Sequence, residues 1–397
     1  MSSEIDERVE RIASKLNLSE EEKKYVTTAN NVEEFIVENK GEKYKGYRVQ
    51  HNDDLGPYKG GMRYHPNVTK EEVKNLAFWM ALKTSLVNIP LGGGKGGLAI
   101  NPKDLSEEEY EDVTRQMARA LKDVVGEDKD IPAPDVYTNE KVMAWFLDEF
   151  EKEKARKEPG VITGKPLLLG GSKGRSIATS QGGVYILEEI YKEKKPSVII
   201  EGFGNAGMNM ALTLQGRGYK IIGVSDSSTG LYNEEGLNVE EIALFKKKGS
   251  KLSEFEDEEK ISGKELLSKK SDVLIPAAME GSIDEEVAKS INAEYVLELA
   301  NGPVTPAGDK VLAGKDILVI PDILANAGGV IVSYYEWIQN KTGEYWSEEY
   351  VLEKLKEKIV NAYEDVLEES KNIGMREAAY SLAIKRILEA AKLRGRI

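Results

Sequence analysis

The sequence predicts an α/β protein of two domains followed by a C-terminal helical region. Three observations carry that prediction. Between Pro196 and Ile320, short apolar runs alternate with helical stretches, the pattern of a mainly parallel sheet with crossover helices. Ahead of it lies a segment of different style, in which Lys59, Lys83 and Lys95 fall within 37 residues, two of them embedded in glycine. The 397 residues give enough chain for a core in each of two domains.

In chain order, residues 5–40 read as helical, with Ile5, Val9, Ile12 and Leu16 on one apolar stripe and Ser19 with Glu22 as a capping box. From Glu34 to Val49 the alternation of Phe35, Val37, Tyr44, Tyr47 and Val49 suggests strands. Lys70–Asn88 reads as a helix burying Val73, Leu76, Ala77, Met80, Ala81 and Thr84, with Lys83 at the border of that face. After the glycine-rich run, Leu98–Ile100 reads as a short strand, Ser106–Val125 as a helix capped by Ser106 and Glu109, and Ile131–Asn139 as a proline-stiffened loop. Lys141–Lys157 is helical and ends in mixed charge. The boundary is therefore placed at Pro159-Gly160. Strands follow at Pro196–Glu201, Tyr219–Ser225, Asp272–Ile275, Tyr295–Glu298 and Leu318–Ile320, with a helix over Met208–Gly218. From Val330 onward the pattern is mainly helical, with Leu352, Leu355, Ile359, Tyr363 and Val366 in register.

Composition narrows function. A net charge of −14 argues against nucleic-acid binding as the main activity. With no cysteine and only His51 and His65, thiol nucleophiles, disulfides and histidine-rich metal sites are excluded, and no metal is expected. Both histidines read as structural. No run of about 18 apolar residues suggests a membrane span. The acidic start lacks an apolar signal region, so the expected location is the cytoplasm.

Two constellations carry chemistry. Gly202-Phe203-Gly204-Asn205-Ala206-Gly207 follows a strand and opens a helix. The first glycine serves the tight turn, the second the approach of a pyrophosphate, the third the packing of helix on strand. This is a dinucleotide site in its expected context. Asp226, at the end of the next strand, has two readings that stay open: a ribose-hydroxyl acceptor favouring NAD, or a turn residue of Asp226-Ser227-Ser228-Thr229-Gly230. No basic residue follows it directly to receive a 2′-phosphate, so NAD is favoured slightly over NADP. The second constellation is the lysine cluster. A lysine between glycines can sit at the floor of a cleft, lose hydration and shift its pKa. These lysines read as a grip on a small dicarboxylic acid, with one of them doing chemistry. Asp135, between Pro134 and Val136, is either a turn aspartate or a general acid/base.

Taken together, Gly56–Pro66, Lys83-Thr84-Ser85-Leu86, Pro90–Gly97, Pro132-Ala133-Pro134-Asp135, Gly202–Gly207 and Asn326–Val330 resemble the glutamate/leucine/phenylalanine/valine dehydrogenase family, and within it the glutamate dehydrogenases. The resemblance covers nearly the whole chain. It implies an N-terminal substrate and oligomerisation domain (1–160), a Rossmann-like NAD(P) domain (161–345) and C-terminal helices packing back on the first domain (346–397). Lys59 and Ser333 would bind the substrate's side-chain carboxylate, Lys83 the α-carboxylate; Lys95 would be catalytic and Asp135 the proton shuttle. Thr179 and Asn205 would join Gly202, Gly204, Ala206 and Gly207 at the cofactor, with Asn301 and Asn326 near the nicotinamide. The chain departs from the family pattern at Glu298-Leu299-Ala300-Asn301 and at Ala178-Thr179-Ser180-Gln181. The implied substrates are L-glutamate, 2-oxoglutarate and ammonia, with NAD or NADP and a homohexameric assembly.

Chemistry agrees with those roles. Oxidising an amino acid at Cα gives an imine that water must attack. An ammonium can stabilise the oxygen charge that develops, and a carboxylate can carry the protons. A cleft that closes between the domains would exclude water. Two rivals are weighed. A dehydrogenase of apolar amino acids would have no use for a buried cation at Lys59. A catalytically inactive subunit would have no need of Lys83, Lys95 and Asp135 together.

Overall fold

The computed structural model describes residues 3–397; Met1 and Ser2 lie outside the described residues, as does the side chain of Ile5, the first member of the apolar stripe. The chain divides into two compact units, one of Met1–Arg175, Val330–Val351 and Tyr380–Ile397, the other of Ser176–Gly329 and Leu352–Ala379.

The first unit opens with helices α1 (Ser3–Leu16) and α2 (Glu20–Thr27). The predicted cap on α2 forms completely: Glu22 N–H donates to Ser19 Oγ at 3.2 Å and Ser19 N–H to Glu22 Oε2 at 2.8 Å. The helical reading to residue 40 fails. Strand β1 (Asn31–Asn39) begins after Thr27, paired with β2 (Glu42–Asn52), so the alternating pattern wins over the helical one. There follow β3 (Tyr58–Tyr64), α3 (Lys70–Leu86), β4 (Gly93–Leu98), α4 (Glu107–Leu121), β5 (Asp130–Pro134) and α5 (Glu140–Lys154). Two expectations are corrected here. The glycine-rich run is itself a strand, and the proline-stiffened loop begins as one. Both exceptions to strand propensity have a physical reason. The sheet order is β1-β2-β4-β3-β5, so β5 is an edge, where prolines are tolerated. In the middle, a Cβ at Gly60 would lie 1.6 Å from Gly94 O, so only glycine allows β3 and β4 to approach as they do. One core joins Met62, Tyr64 and Leu98 of the sheet to Val113, Met117, Val142, Phe146 and Phe150 of α4 and α5.

The second unit holds α6 (Ala178–Tyr191), β6 (Ser197–Glu201), α7 (Asn205–Gly216), β7 (Lys220–Ser225), β8 (Gly230–Tyr232), α8 (Val239–Lys247), β9 (Glu259–Ile261), α9 (Gly263–Ser268), β10 (Val273–Pro276), α10 (Glu285–Ser290), β11 (Tyr295–Leu297), α11 (Pro306–Gly314), β12 (Leu318–Ile320) and α12 (Asp322–Ala325). Its sheet runs β12-β11-β10-β6-β7-β8-β9. The five strands from β12 to β7 are parallel; β8 and β9, unforeseen in the sequence, extend the edge antiparallel. Helices α13 (Gly328–Thr342), α14 (Glu348–Glu369) and α15 (Met375–Leu393) complete the chain. The end of α15 belongs to the first unit, where Ser85 Oγ donates to Ala383 O at 2.8 Å and Arg386 to Ser85 O at 3.1 Å. Among the described residues no helix is long and apolar enough to cross a membrane.

Candidate functional site

The first unit's site follows from strand register. Along β3, Lys59, Gly61 and Arg63 share one face. Met62 pairs with Gly96 of β4 and with Pro134 of β5. That register sets Lys95 beside Gly61 on one side and carries Asp135, just past β5, beside Arg63 on the other. Asp135 crosses over Gly61 to meet Lys95: Lys95 Nζ lies 3.0 Å from Asp135 Oδ2, and a Cβ on Gly61 would lie 2.7 Å from Asp135 Cβ. The same carboxylate oxygen accepts from Arg63 Nε at 2.7 Å. Thr138 fixes the turn, its Oγ1 accepting from Asp135 N–H at 2.7 Å and donating to Met62 O at 2.8 Å.

Electrostatics distinguishes these groups. Burial alone would raise the Asp135 carboxyl, but Lys95 and Arg63 more than offset it and hold it down at about 2. Burial pulls the Lys95 ammonium below the usual lysine range even though Asp135 opposes the shift. Lys59 is 1% exposed, and burial first, then the charges of Arg48 and Arg175, press its pKa well down. Its Nζ donates to Ile131 O at 3.2 Å and Pro132 O at 3.4 Å, and among the described residues no carboxylate pairs with it. The nearby acids are committed elsewhere: Asp130 to Arg48 in a fully buried pair, Glu336 to Lys165 at 2.6 Å.

Lys83 is buried in the last turn of α3, whose end is held by Thr84 Oγ1 donating to Gly92 O at 3.2 Å. Ser333, on α13, is buried and accepts from Arg175 Nε at 3.2 Å; no hydrogen bond joins it to Lys59 among the described residues. Arg175 was missed in the sequence. It is half-buried, and its one sequence signal is a position after Gly174 in a glycine-rich turn. Arg63 was missed as well, although it stands inside the segment Lys59–Arg63.

In the second unit the glycine turn has the shape a pyrophosphate needs. Gly202 has φ +93°, and a Cβ on Gly207 would lie 1.9 Å from Gly202 O, while one on Gly204 would meet open space. Helix α7 starts there without a side-chain cap, which leaves its first N–H groups available to an anion. The residues therefore fit a dinucleotide. Asn205 Oδ1 accepts from Asn209 at 3.2 Å. Thr179 sits in the first turn of α6, and the neighbouring Ser180 Oγ donates to Ala206 O at 2.9 Å, tying α6 to the start of α7. Asn326 and Asn301 are brought together, Nδ2 to Oδ1 at 3.1 Å, and Asn326 also donates to Ala300 O at 3.1 Å. Leu299, one of the departures from the family pattern, is buried. Asp226 is a turn residue in this structure. Its carboxylate accepts from Ser228 N–H at 2.8 Å and Leu252 N–H at 3.2 Å and pairs with Lys246; burial would raise its pKa, and these donors, Lys246 first, lower it. A lysine thus reaches the end of β7 from 20 residues away, where the sequence shows none adjacent.

Two family models match. The glutamate/leucine/phenylalanine/valine dehydrogenase model covers residues 170–395 and the Glu/Leu/Phe/Val dehydrogenase dimerisation domain covers residues 29–152. A cryptic catabolic NAD-specific glutamate dehydrogenase of Bacillus subtilis is 46% identical over 363 residues, spanning 89% of this chain and 84% of its own length. An NADP-specific glutamate dehydrogenase of Synechocystis is 45% identical over 368 residues, 89% of this chain and 86% of its own. A hetero-hexameric glutamate dehydrogenase of Thermus thermophilus, solved in a leucine-bound form, superposes with a TM-score of 0.92 at 33% identity, over 98% of this chain and 95% of its own.

Proposed function

This chain belongs to the Glu/Leu/Phe/Val dehydrogenase family, and from that premise we propose that it catalyses the reversible oxidative deamination of L-glutamate to 2-oxoglutarate and ammonia, reducing NAD or NADP. The observation that carries the choice of substrate is Lys59, a buried cation with no carboxylate partner among the described residues. An unpaired buried charge is destabilising by several kcal/mol, roughly, unless something completes it. The side-chain carboxylate of glutamate does so, and leucine or valine does not.

In this reading Lys59 holds the side-chain carboxylate with Ser333 and Arg175, and Lys83 holds the α-carboxylate. Gly202, Gly204, Asn205, Ala206 and Gly207 hold the cofactor's phosphates, with Thr179, Asn301 and Asn326 toward the nicotinamide. The nicotinamide, when bound, accepts the hydride from Cα. Lys95 stabilises negative charge on the oxygen of the water that attacks the resulting imine. Asp135 takes the proton that the α-ammonium must lose before the hydride can leave and passes it to solvent; it then takes a proton from the attacking water and gives it to the nitrogen, and the remaining hydroxyl proton goes to solvent as the C–N bond breaks and ammonia leaves. Fixing both carboxylates of the substrate sets Cα against these two groups before reaction. Asp226 contributes little to cofactor choice while its carboxylate is taken up by Lys246 and the loop. We place the enzyme in the cytoplasm as a homohexamer; the matching dimerisation domain supports self-association, and the hetero-hexameric Thermus thermophilus structure supports six subunits.

The test is reduction of each nicotinamide cofactor, followed at 340 nm, with glutamate, leucine, valine and phenylalanine in turn. Turnover with glutamate far above the other three is expected. Absence of glutamate turnover with both cofactors would overturn the proposal.

A further inference from the structure

We propose that Arg63 is a positioning residue that fixes Asp135 and keeps it ionised while Lys95 is drawn onto the substrate. This rests on Asp135 being the proton carrier.

The geometry separates the two cations that meet Asp135. Arg63 is held at both ends of its fork: Nε meets Asp135 Oδ2 at 2.7 Å and Nη1 meets Glu72 Oε1 at 2.5 Å. Glu72 is itself fixed in the first turn of α3, where its N–H donates to Thr69 Oγ1 at 3.2 Å. A planar guanidinium pinned between two carboxylates keeps one orientation. Lys95 has one contact to the same oxygen, at 3.0 Å, at the end of a flexible stem. When the Lys95 ammonium turns to a substrate oxygen, Asp135 loses that partner and keeps the other.

The charged groups around Asp135 come from four elements. Lys95 faces it from β4 and Arg63 from β3; Glu72 stands behind Arg63 on α3, and Arg48 of β2 acts on Lys95. Burial works against ionisation of Asp135, so one of its two opposing cations must remain when the other is engaged. Arg63 is the one whose position does not depend on the substrate.

The sign follows. Removing Arg63 lets burial raise the Asp135 carboxyl, so a higher pH is needed for the unprotonated base. The acid-side inflection of kcat for glutamate, which reports the substrate-bound enzyme, then rises, by about one pH unit or more. The experiment compares pH profiles of the wild type, Arg63→Ala, Arg63→Lys and Asp135→Asn, with thermal melts to confirm folding and cofactor Kd as control. For Arg63→Ala the upward shift is expected together with a ~10-fold or greater fall in kcat at neutral pH and an unchanged cofactor Kd. An inflection coincident with that of the wild type overturns the inference. Arg63→Lys keeps the charge but cannot bridge both carboxylates. Its inflection stays near the wild-type value while kcat falls several-fold; wild-type kcat in this variant overturns the positioning role, even if Arg63→Ala does not fold. Should Asp135→Asn retain turnover, the proton-carrier assignment fails, separately from any result on Arg63.

Discussion

Gly92–Gly97 and Gly202–Gly207 are both six-residue stretches rich in glycine, and they use it for different ends. The first is mostly the buried strand β4, inserted between β2 and β3, with Lys95 at its centre. Its glycines make room for neighbours: a Cβ on Gly96 would lie 2.0 Å from Met62 Sδ, and one on Gly60 of β3 would lie 1.6 Å from Gly94 O. The second is a turn between β6 and α7 with no charged side chain of its own. There the glycines shape the backbone, and the N–H groups of a helix start provide the attraction. In the proposed roles, charged side chains carry the chemistry of the first stretch and its glycines are spacing, while the backbone of the second is the binding group and its glycines form the site.

The two stretches should therefore fail differently. The largest effect is expected on the side-chain side. Lys95→Ala and Asp135→Asn are each expected to lower kcat by about 10³-fold while cofactor Kd, measured by nicotinamide fluorescence, stays within about twofold. Near-normal turnover in either variant would remove its chemical role, and a lost cofactor affinity would erase the division between the two stretches. A smaller and opposite effect is expected from Gly207→Ala. Its Cβ must displace Gly202 O, 1.9 Å away, at about 1–3 kcal/mol. Cofactor Kd should rise about 10-fold or more, with kcat at saturating cofactor much less affected. An unchanged Kd would show that the turn does not bind through its backbone.

How far the sequence discloses this molecule depends on whether a feature is local. The capping pairs Ser19/Glu22 and Ser106/Glu109 are local, and both form complete reciprocal boxes. Strand β12 spans Leu318–Ile320, as its apolar run indicates. Strand β4 is illegible because glycine disfavours strands in general and is required in this one by the backbone of a neighbouring strand. Lys59, Lys95 and Asp135 stand out through their glycine and proline settings, and Lys83 by its place at the border of the apolar face of α3. Arg63 does not, since its contact with Asp135 comes from the register that sets the two side by side, a relation between β3 and β5 that no spacing within either strand reveals. The same holds for Lys246, which answers the carboxylate of Asp226 from another helix.

The central claim is that a buried lysine without a carboxylate partner selects the distal carboxylate of the substrate. The most direct test is kcat/KM of the wild type and of Lys59→Leu with glutamate and with leucine. Lys59→Leu is expected to lose about 100-fold or more with glutamate, roughly 3 kcal/mol of charge-assisted binding, and to hold or gain activity with leucine. Equal losses with both substrates would contradict the account.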